Sequence, residues 1–363
     1  MIPSLLFYLA AGALAPAVGF PPVALALVIW GAVFARRSVL DGRTIVSTTL
    51  LLFVPVFIAL VAVSAPRWEP GFDVKDPVAL LLFFCVVPSL VVAFAQRDPT
   101  WLDAARRTVG VAFVLSSGAI ALWATIYGVD WERPYFLLRV LHKNGVAATY
   151  EVLMLATLLE QRAWHRRAGV AAIGLICLAL TGSKTGLGIA LVITTVVLLR
   201  WVGVALVVGG LAASLGFIRA NLALGGPLET AVQRFILWAQ AWDDITASSS
   251  HWWFGVGPGT FTAPVVIKDL AGIAGTHNMI LQFWHSYGLL GLALFALFFA
   301  HLARRFGFAR SPFLGAFWLF NLHAMFDVGW VKGAGFVASA ALGLGIADVL
   351  RREALEPVPV HPA

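Results

Sequence analysis

Long apolar runs recur along almost the whole of this chain. Most hold roughly 14 to 24 residues, close to the 20 or so that cross the hydrocarbon core of a bilayer as a helix. A membrane-spanning segment must satisfy its own backbone hydrogen bonds, which helices do. Apolar residues make up 60% of the sequence and charged residues only 12%, about half the charged share of a soluble domain. We therefore predict an all-α, polytopic membrane protein.

Twelve apolar segments are predicted to be transmembrane helices. They cover residues 3–18, 21–34, 44–64, 78–95, 108–127, 145–160, 168–181, 185–199, 202–218, 278–303, 312–326 and 332–350. Residues 1–353 are predicted to form a single transmembrane domain, into which one long outer loop at about 219–276 is inserted. Residues 354–363 are predicted to be a cytoplasmic tail.

The charges between these segments are unevenly distributed. With the N-terminus inside, the segments on that side hold 15 of the 25 basic residues but only 7 of the 18 acidic ones. Since basic residues favour cytoplasmic loops, both termini are predicted to be cytoplasmic. The net charge of +7 then reflects membrane topology, and no nucleic acid is expected as a partner. Cys85 and Cys177 fall within apolar segments, where inert packing is expected.

The outer loop contains one strongly helical stretch, "LETAVQRFILWAQAWDDI". Phe235, Trp238 and Trp242 recur there at helical spacing, which predicts a helix lying along the membrane surface. Arg234 stands one turn before Trp238, where it could hold a phosphate or simply reach toward lipid headgroups.

Several polar residues stand at or near the predicted outer ends of the spans, where an ionisable group costs roughly 2.5–3.5 kcal/mol on insertion scales. Lys143 and Asn144, in "HKN", precede the sixth span, and Glu151 lies two helical turns inside it. An interfacial anchor with one interhelical carboxylate pair is an alternative to a functional site. The turn "GSKTG" carries Ser183 and Lys184.

Other features of this turn have plain structural interpretations. Gly182 and Gly186 have the spacing that lets two helices pack closely. A nucleotide-binding phosphate loop is excluded, because the earlier glycine and the Gly-Lys pair are missing. Gly257 lies in "FGVGPGTF", which is either a tight turn or a loop whose backbone amides face a phosphate.

Two histidine-containing segments complete the set. His277 and Asn278 begin the tenth span, where a capping role is the alternative to a reactive one. No carboxylate accompanies His277 and His285, so a metal site is not expected. His323 and Asp327 are four residues apart at the end of the eleventh span and could form a local pair.

Together these patterns place Lys143, Lys184, Arg234 and His277 at the predicted outer surface on four different elements. A cationic site half immersed in lipid suits an anionic headgroup, and a diphosphate on a lipid fits best.

The order of "HKN", "GSKTGL", an arginine followed by a tryptophan, "GVGPGTF" and "THN…YGLLGL" resembles the O-antigen ligase and polymerase superfamily of integral-membrane glycosyltransferases. The resemblance covers about residues 135–345 and is most specific over 234–291. Two positions depart from the family pattern, since Lys184 replaces an arginine and Ser286 a glutamate.

The resemblance implies a lipid-sugar transferase fold of the GT-C-like type in a bacterial inner membrane, with the active site facing the periplasm. It implies an inverting reaction without cofactor or metal. The donor would be a polyprenyl-diphosphate-linked glycan, and the acceptor a glycan or a lipid-A core sugar. Lys184 and Arg234 would hold the diphosphate, and His277 would sit at the reacting centre.

The remaining roles follow from the residues themselves. We predict His277 as the general base with Glu151 as the second candidate, and Lys143 as a further diphosphate ligand. Supporting roles are predicted for Asn144, Ser183, Gly257, Asn278, His323 and Asp327. Ligase and polymerase activities remain open alternatives, because both need the same donor site. A secondary transporter that uses Glu151 for ion coupling is the rival from another class.

Overall fold

The computed structural model describes residues 45–73, 75–129, 135–136, 141–222, 229–262, 275–308, 310–326 and 333–355. Two predicted spans, 3–18 and 21–34, and the predicted site residue Asp327 lie outside these ranges.

Helices hold most of the described residues, together with two short strands. The helices are α1 (Ile45–Ser64), α2 (Lys75–Arg97, with a π-helical segment at Leu82–Val86), α3 (Pro99–Tyr127), α4 (Lys143–Glu160), α5 (Trp164–Leu180), α6 (Lys184–Leu222), α7 (Glu229–Thr246), α8 (Ser249–Phe254), α9 (Met279–Phe306), α10 (Pro312–Ala324) and α11 (Gly333–Leu355). The strands β1 (Tyr135–Phe136) and β2 (Leu141–His142) pair antiparallel directly before α4.

The other ten predicted segments each coincide with a described helix or part of one. Segments 185–199 and 202–218 form the two helical parts of α6, which are separated by a kink at Arg200 (φ 51°), as the two predicted segments require. Four helices are long and apolar enough to cross a membrane: Lys75–Arg97, Thr100–Tyr127, Met279–Phe306 and Ala334–Leu355. The all-α membrane fold is supported to that extent, and the total of twelve spans stays a prediction.

Phenylalanine rings hold α1, α2 and α9 together. Phe53 and Phe57 of α1 stack with centroids 5.6 Å apart, and Phe298 of α9 lies 4.5 Å from Phe53. Phe84 of α2 and Phe295 of α9 complete the cluster at 5.7 Å. All five side chains are buried, and such offset and edge-on ring contacts add roughly 0.5–1.5 kcal/mol per pair to simple burial.

Helix α4 is the centre of the bundle and contacts α3, α5, α6, α10 and α11. Its residues are buried on nearly every side between Ala147 and Leu158. A helix that is apolar all round is one that the rest of the protein surrounds. The polar groups of α4 must therefore find partners inside the bundle.

Charged residues gather where the C-terminal ends of α4 and α11 meet the beginning of α3. Arg106 of α3 lies 2.6 Å from the carboxylate of Asp348 on α11 and 3.2 Å from that of Glu160 on α4. Arg352 also binds Asp348, at 3.0 Å, and the Asp348 side chain is only 2% exposed. A buried carboxylate needs such partners, because an unpaired one is strongly destabilising.

The long-range polar contacts join segments that the charge distribution assigns to the same side. Arg305 and Glu353 pair at 3.0 Å on the predicted inner side. Trp68 and Phe254 are joined by a 2.8 Å hydrogen bond on the predicted outer side.

We expect Arg106→Gln to lower the free energy of unfolding by roughly 1–3 kcal/mol, because Asp348 and Glu160 both lose a charged partner. The measurement is the apparent melting temperature of the protein purified in mild detergent. Arg107→Gln is the matched control, since that side chain is exposed. Equal melting temperatures for the two variants would contradict this account.

Candidate functional site

The first turn of α6 is fixed by Ser183, which precedes it. The Ser183 hydroxyl accepts a hydrogen bond from the Gly186 amide (3.1 Å) and donates one to Oδ1 of Asn144 (2.9 Å). Such a side chain satisfies an amide that the helix itself leaves unpaired. The cap therefore also joins α6 to the beginning of α4, and Ser183 and Asn144 are brought together as predicted site residues.

Glu151 and His323 form a hydrogen-bonded pair inside the bundle. Nδ1 of His323 lies 2.6 Å from Oε2 of Glu151, and each side chain is only 1% exposed. The two atoms share one proton, so one of the two groups donates to the other. Helix α10 is thus bound to α4 through a buried hydrogen bond, and the expected local partner of His323, Asp327, lies outside the described residues.

Gly186 allows α6 to approach this pair. A methyl group at position 186 would lie 2.8 Å from Cβ of Ala147 and 3.3 Å from Oε1 of Glu151. The first distance is shorter than real side chains tolerate, so only glycine fits without movement. The close helix approach predicted for the glycine pair is found here, at Gly186.

Helix α7 reaches the same turn through Arg234. Nη2 of Arg234 donates a 2.6 Å hydrogen bond to the hydroxyl of Thr185 in the first turn of α6. Lys184, next to Thr185, is exposed, and Lys143, next to Asn144, is half-buried. Three predicted phosphate ligands therefore belong to a single junction, in which α4, α6 and α7 meet.

The predicted reactive histidine lies directly before α9. Asn278 caps that helix, because its Oδ1 accepts from the Leu281 amide at 3.1 Å. The Thr276 amide donates to Oε1 of Gln282 at 3.0 Å, which ties the chain before the cap to the helix. His277, between them, has φ 52° and a half-buried side chain. This left-handed backbone is uncommon outside glycine, although asparagine, aspartate and histidine adopt it more often than other residues do.

Apolar contacts place α7 beside this turn. Leu237 and Ala241 of α7 are buried against Phe261, and Leu281 of α9 packs on the same cluster. Leu281 is the residue whose amide Asn278 caps. Arg234 lies one turn before Leu237, so α7 joins the phosphate-ligand junction to the His277 turn.

A second polar pair, which the sequence did not predict, joins α7 to α9. Nε2 of His285 lies 3.3 Å from Oδ2 of Asp244, and Gln240 donates to Oδ1 of Asp244 at 2.7 Å. Partial burial opposes ionisation of Asp244, but the hydrogen bonds from His285 and Gln240 outweigh it and lower the pKa of the carboxyl. Asp244 follows Leu237 and Ala241 on the buried face of α7. A carboxylate on this otherwise apolar face was the sequence feature that could have indicated a buried polar contact.

The glycine-rich loop after α8 packs on a break in α9. The Val256 amide donates to the backbone oxygen of His285 at 2.7 Å. Gly288 has φ 67°, and a methyl group on it would lie 2.2 Å from the Trp253 oxygen. Gly255 is also close to α9, since a methyl group added to it would lie 2.7 Å from the Gly288 nitrogen. The motifs "FGVGPG" and "YGLLGL" therefore require glycine where they touch each other.

The other side of this loop is held by the segment after α1. The indole nitrogen of Trp68 donates to the Phe254 oxygen at 2.8 Å, and the Asp73 amide donates to the Pro258 oxygen at 2.7 Å. Gly257 itself faces Trp68 and Phe72, where a methyl group would meet Cβ atoms at 3.1 and 3.3 Å. Gly257 thus packs against the aromatic residues of this segment.

The predicted residues therefore fall into two groups. Lys143, Asn144, Glu151, Ser183, Lys184, Arg234 and His323 belong to the α4–α6–α7–α10 junction, whereas Gly257, His277 and Asn278 belong to the α9 group. Helix α7 connects the groups through Arg234 at one end and Asp244 at the other. No family model matches the chain, and no curated protein matches it.

We expect Gly186→Ala and Gly188→Ala to change stability in opposite directions. Alanine at 186 would push α6 away from Ala147, at a cost of roughly 1–3 kcal/mol. Alanine at 188 meets nothing within 4 Å and should stabilise the helix by roughly 0.5–1 kcal/mol. Melting temperatures of the two purified variants provide the measurement, and a stabilised Gly186→Ala would contradict the close contact.

The contact between Asp244 and His285 should stabilise the protein at neutral pH and lose this effect in acid. A carboxyl group whose pKa is lowered by folding stabilises the protein above its ordinary value of about 3.9, and this contribution disappears as the pH falls through the lower folded value. Asp244→Asn should therefore be less stable than the wild type at neutral pH, with a difference that shrinks in acid. Melting temperatures from about pH 7 to about pH 3 measure this.

The exposed neighbour Asp243 provides the matched control. Asp243→Asn should follow the wild-type profile throughout, because its side chain takes no part in the His285 contact. If the melting temperature of Asp244→Asn is lower than that of the wild type by the same amount at every pH, the charge of Asp244 does not contribute to the stabilising contact.

Proposed function

We propose that this protein is a membrane glycosyltransferase that moves a glycan from a polyprenyl-diphosphate carrier to an acceptor hydroxyl. The observation that carries the proposal is the contact of Arg234 with the capped turn of α6, which bears Lys184. It joins a guanidinium, an exposed ammonium and a helix N-terminus at one end of an apolar bundle. Each of these favours a negatively charged group.

The surroundings suit a donor that is part lipid and part anion. The helices that form the junction are apolar along most of their length, and α7 exposes Phe235 (52%) and Trp242 (45%) while burying Leu237 and Ala241. A lipid-linked substrate can enter between helices from the side, which keeps its tail in hydrocarbon. Its diphosphate would then meet the cations at the junction.

The proposed roles follow the chemistry of displacement at an anomeric carbon. His277 accepts the proton of the acceptor hydroxyl as its oxygen forms the new bond to that carbon. The bond from the carbon to the diphosphate oxygen breaks, and the diphosphate leaves with the bonding electrons. Positioned base catalysis is worth about 10²–10⁴-fold, and a sugar hydroxyl needs it because it is a poor nucleophile.

Arg234 and Lys184 would stabilise the charge that develops on the leaving diphosphate. Removing one preorganised donor of this kind costs about 10²–10³-fold in turnover. Lysine provides a point charge, whereas arginine binds two oxygens at once, so Arg234 is the stronger candidate for a fixed phosphate contact. Asn144 and Ser183 position the turn that carries Lys184.

A secondary transporter is the second candidate, and the buried Glu151–His323 pair favours it. Both side chains are 1% exposed within the bundle, where ionisable groups often couple ion movement to transport. In the transferase the same pair has a structural role, since it binds α10 to α4. Substrate uptake by proteoliposomes would favour the transporter, and glycan transfer in detergent would favour the enzyme.

The first test uses purified protein, a polyprenyl-diphosphate-linked oligosaccharide and EDTA, with no acceptor other than the donor. Longer lipid-linked chains would indicate a polymerase, and transfer only after addition of lipid-A core would indicate a ligase. We expect His277→Ala and Arg234→Gln to lower turnover by about 10²-fold or more at equal protein level.

Arg310→Gln is the control variant, because Arg310 pairs with Glu353 at the other end of the bundle. It should retain wild-type turnover. Full activity of Arg234→Gln in the same membranes would refute the proposed phosphate contact.

A further inference from the structure

The two residues that flank His277 are bound to each other across it. The Thr276 hydroxyl donates to the Asn278 oxygen at 2.8 Å and accepts from the Asn278 amide at 3.3 Å. Thr276 is completely buried, and His277 between these contacts has φ 52°. A left-handed residue other than glycine persists where several surrounding contacts fix it. The contacts of this turn therefore decide where the His277 side chain lies.

Gln282, one turn inside α9, holds the same turn from the helix side. Its Oε1 accepts a hydrogen bond from the Thr276 amide at 3.0 Å. Since a backbone N–H only donates, this contact fixes which end of the side-chain amide faces the turn. The Nε2 group then faces the helix and donates to the hydroxyl of Ser286 at 3.2 Å. Both partners of Gln282 are buried.

This arrangement differs from an ordinary helix cap. In a capping box, a side chain at the third helical position binds the amide of the capping residue itself. Here Asn278 is the capping residue, and Gln282 is the fourth residue of the helix. Its oxygen binds the Thr276 amide, two positions before the cap. The hydrogen-bonded ring therefore encloses His277, which an ordinary capping box would leave outside.

The helix end of this ring is packed against the glycine-rich loop. A methyl group on Gly255 would lie 2.7 Å from the backbone oxygen of Ser286. The neighbouring backbone oxygen, that of His285, accepts from the Val256 amide at 2.7 Å. Gln282 thus connects the His277 turn to the part of α9 on which this loop is packed.

We propose that Gln282 is a positioning residue, which holds the His277 imidazole where it can accept the proton of the acceptor hydroxyl. This role rests on the proposed function, in which His277 is the general base. Gln282 acts through the Thr276 amide and does not itself touch the substrate. A displacement of about 1 Å can cost about 10²-fold in rate, so the loss of this contact should lower turnover rather than donor binding.

Gln282→Met removes both hydrogen bonds and keeps the length of the side chain. We expect kcat to fall about tenfold or more. KM for the lipid-linked donor should stay unchanged, because Lys184 and Arg234 belong to the other junction. Gln282→Glu keeps an acceptor for the Thr276 amide and can accept from Ser286, so it should recover most of the lost turnover. Wild-type kcat in Gln282→Met, or no recovery in Gln282→Glu, would overturn the catalytic part of the proposal.

The position of His277 can also be measured without glycan transfer. Diethyl pyrocarbonate acylates neutral imidazole rings, and peptide mass spectrometry of the treated full-length protein gives the rate for each histidine. We expect His277 to react several-fold faster in Gln282→Met than in the wild type or in Gln282→Glu. His165 is exposed and should react at one rate in all three proteins. An unchanged His277 rate would overturn the positioning role.

Gln161→Met is the matched control, because it makes the same exchange on the predicted inner side. Nε2 of Gln161 donates only a long hydrogen bond, at 3.4 Å, to the Thr157 oxygen. This variant should change neither kcat nor the His277 rate.

Two further results separate the possible failures. If Gln282→Met does not fold, Ser286→Ala removes only the second contact and should raise the His277 rate by a smaller factor. A wild-type His277 rate in that variant would overturn the proposal. A faster His277 reaction in Gln282→Met, combined with no glycan transfer by the wild type, would refute the proposed function and leave the contact of Gln282 with the turn confirmed.

Discussion

Glu151 imposes the central constraint on this structure, because its carboxylate lies within an apolar bundle and only the protein can hold it. His323 provides a hydrogen-bonding partner at 2.6 Å, which binds α10 to α4. Gly186 lets α6 pack beside the same carboxylate. The capped turn of α6 can then reach Asn144, and Arg234 of α7 can reach Thr185. The buried pair thus lies where α4, α6 and α10 meet, next to the turn of α6 that α7 contacts.

The glycine-rich motifs have a related explanation. Gly288 breaks α9, which exposes backbone oxygens and amides that a continuous helix would use internally. The loop containing Gly255 and Val256 binds at this break, and the segment around Trp68 covers the loop from outside. The described part of the segment between α6 and α9, residues 229–262, is therefore packed onto α9, and Asp244 and His285 form a polar contact between them.

The positions of the helices could be predicted from the sequence, whereas most of their contacts could not. The apolar run 145–160 predicted Lys143–Glu160 closely, since the length of such a run is set by the helix itself. An interhelical pair was one of the alternatives for Glu151, but its partner His323 on a distant helix could not be read from local spacing, and the expected local partner of His323, Asp327, lies outside the described residues. Local spacing carries information about one helix face, and pairing between distant helices depends on packing that no local pattern records.

The candidate site was predicted in part for the same reason. Ser183 and Asn278 are typical helix-capping residues, and both cap the helices they precede. Arg234 was identified by its position on an amphipathic helix, but its contact with Thr185 was not. The pair of Asp244 and His285 was not predicted, because no carboxylate lies near His285 in the sequence and Asp244 comes from another helix, 41 positions away.

The most direct test of the central claim is the binding of a polyprenyl diphosphate that carries no sugar, because it separates the anion site from catalysis. Native mass spectrometry of the purified wild type and of Arg234→Gln would measure it, with the uncharged polyprenol as reference ligand. The account predicts that the wild type binds the diphosphate at least about tenfold more strongly than the polyprenol, and that Arg234→Gln loses most of this difference. Equal binding of the two ligands by the wild type would contradict it.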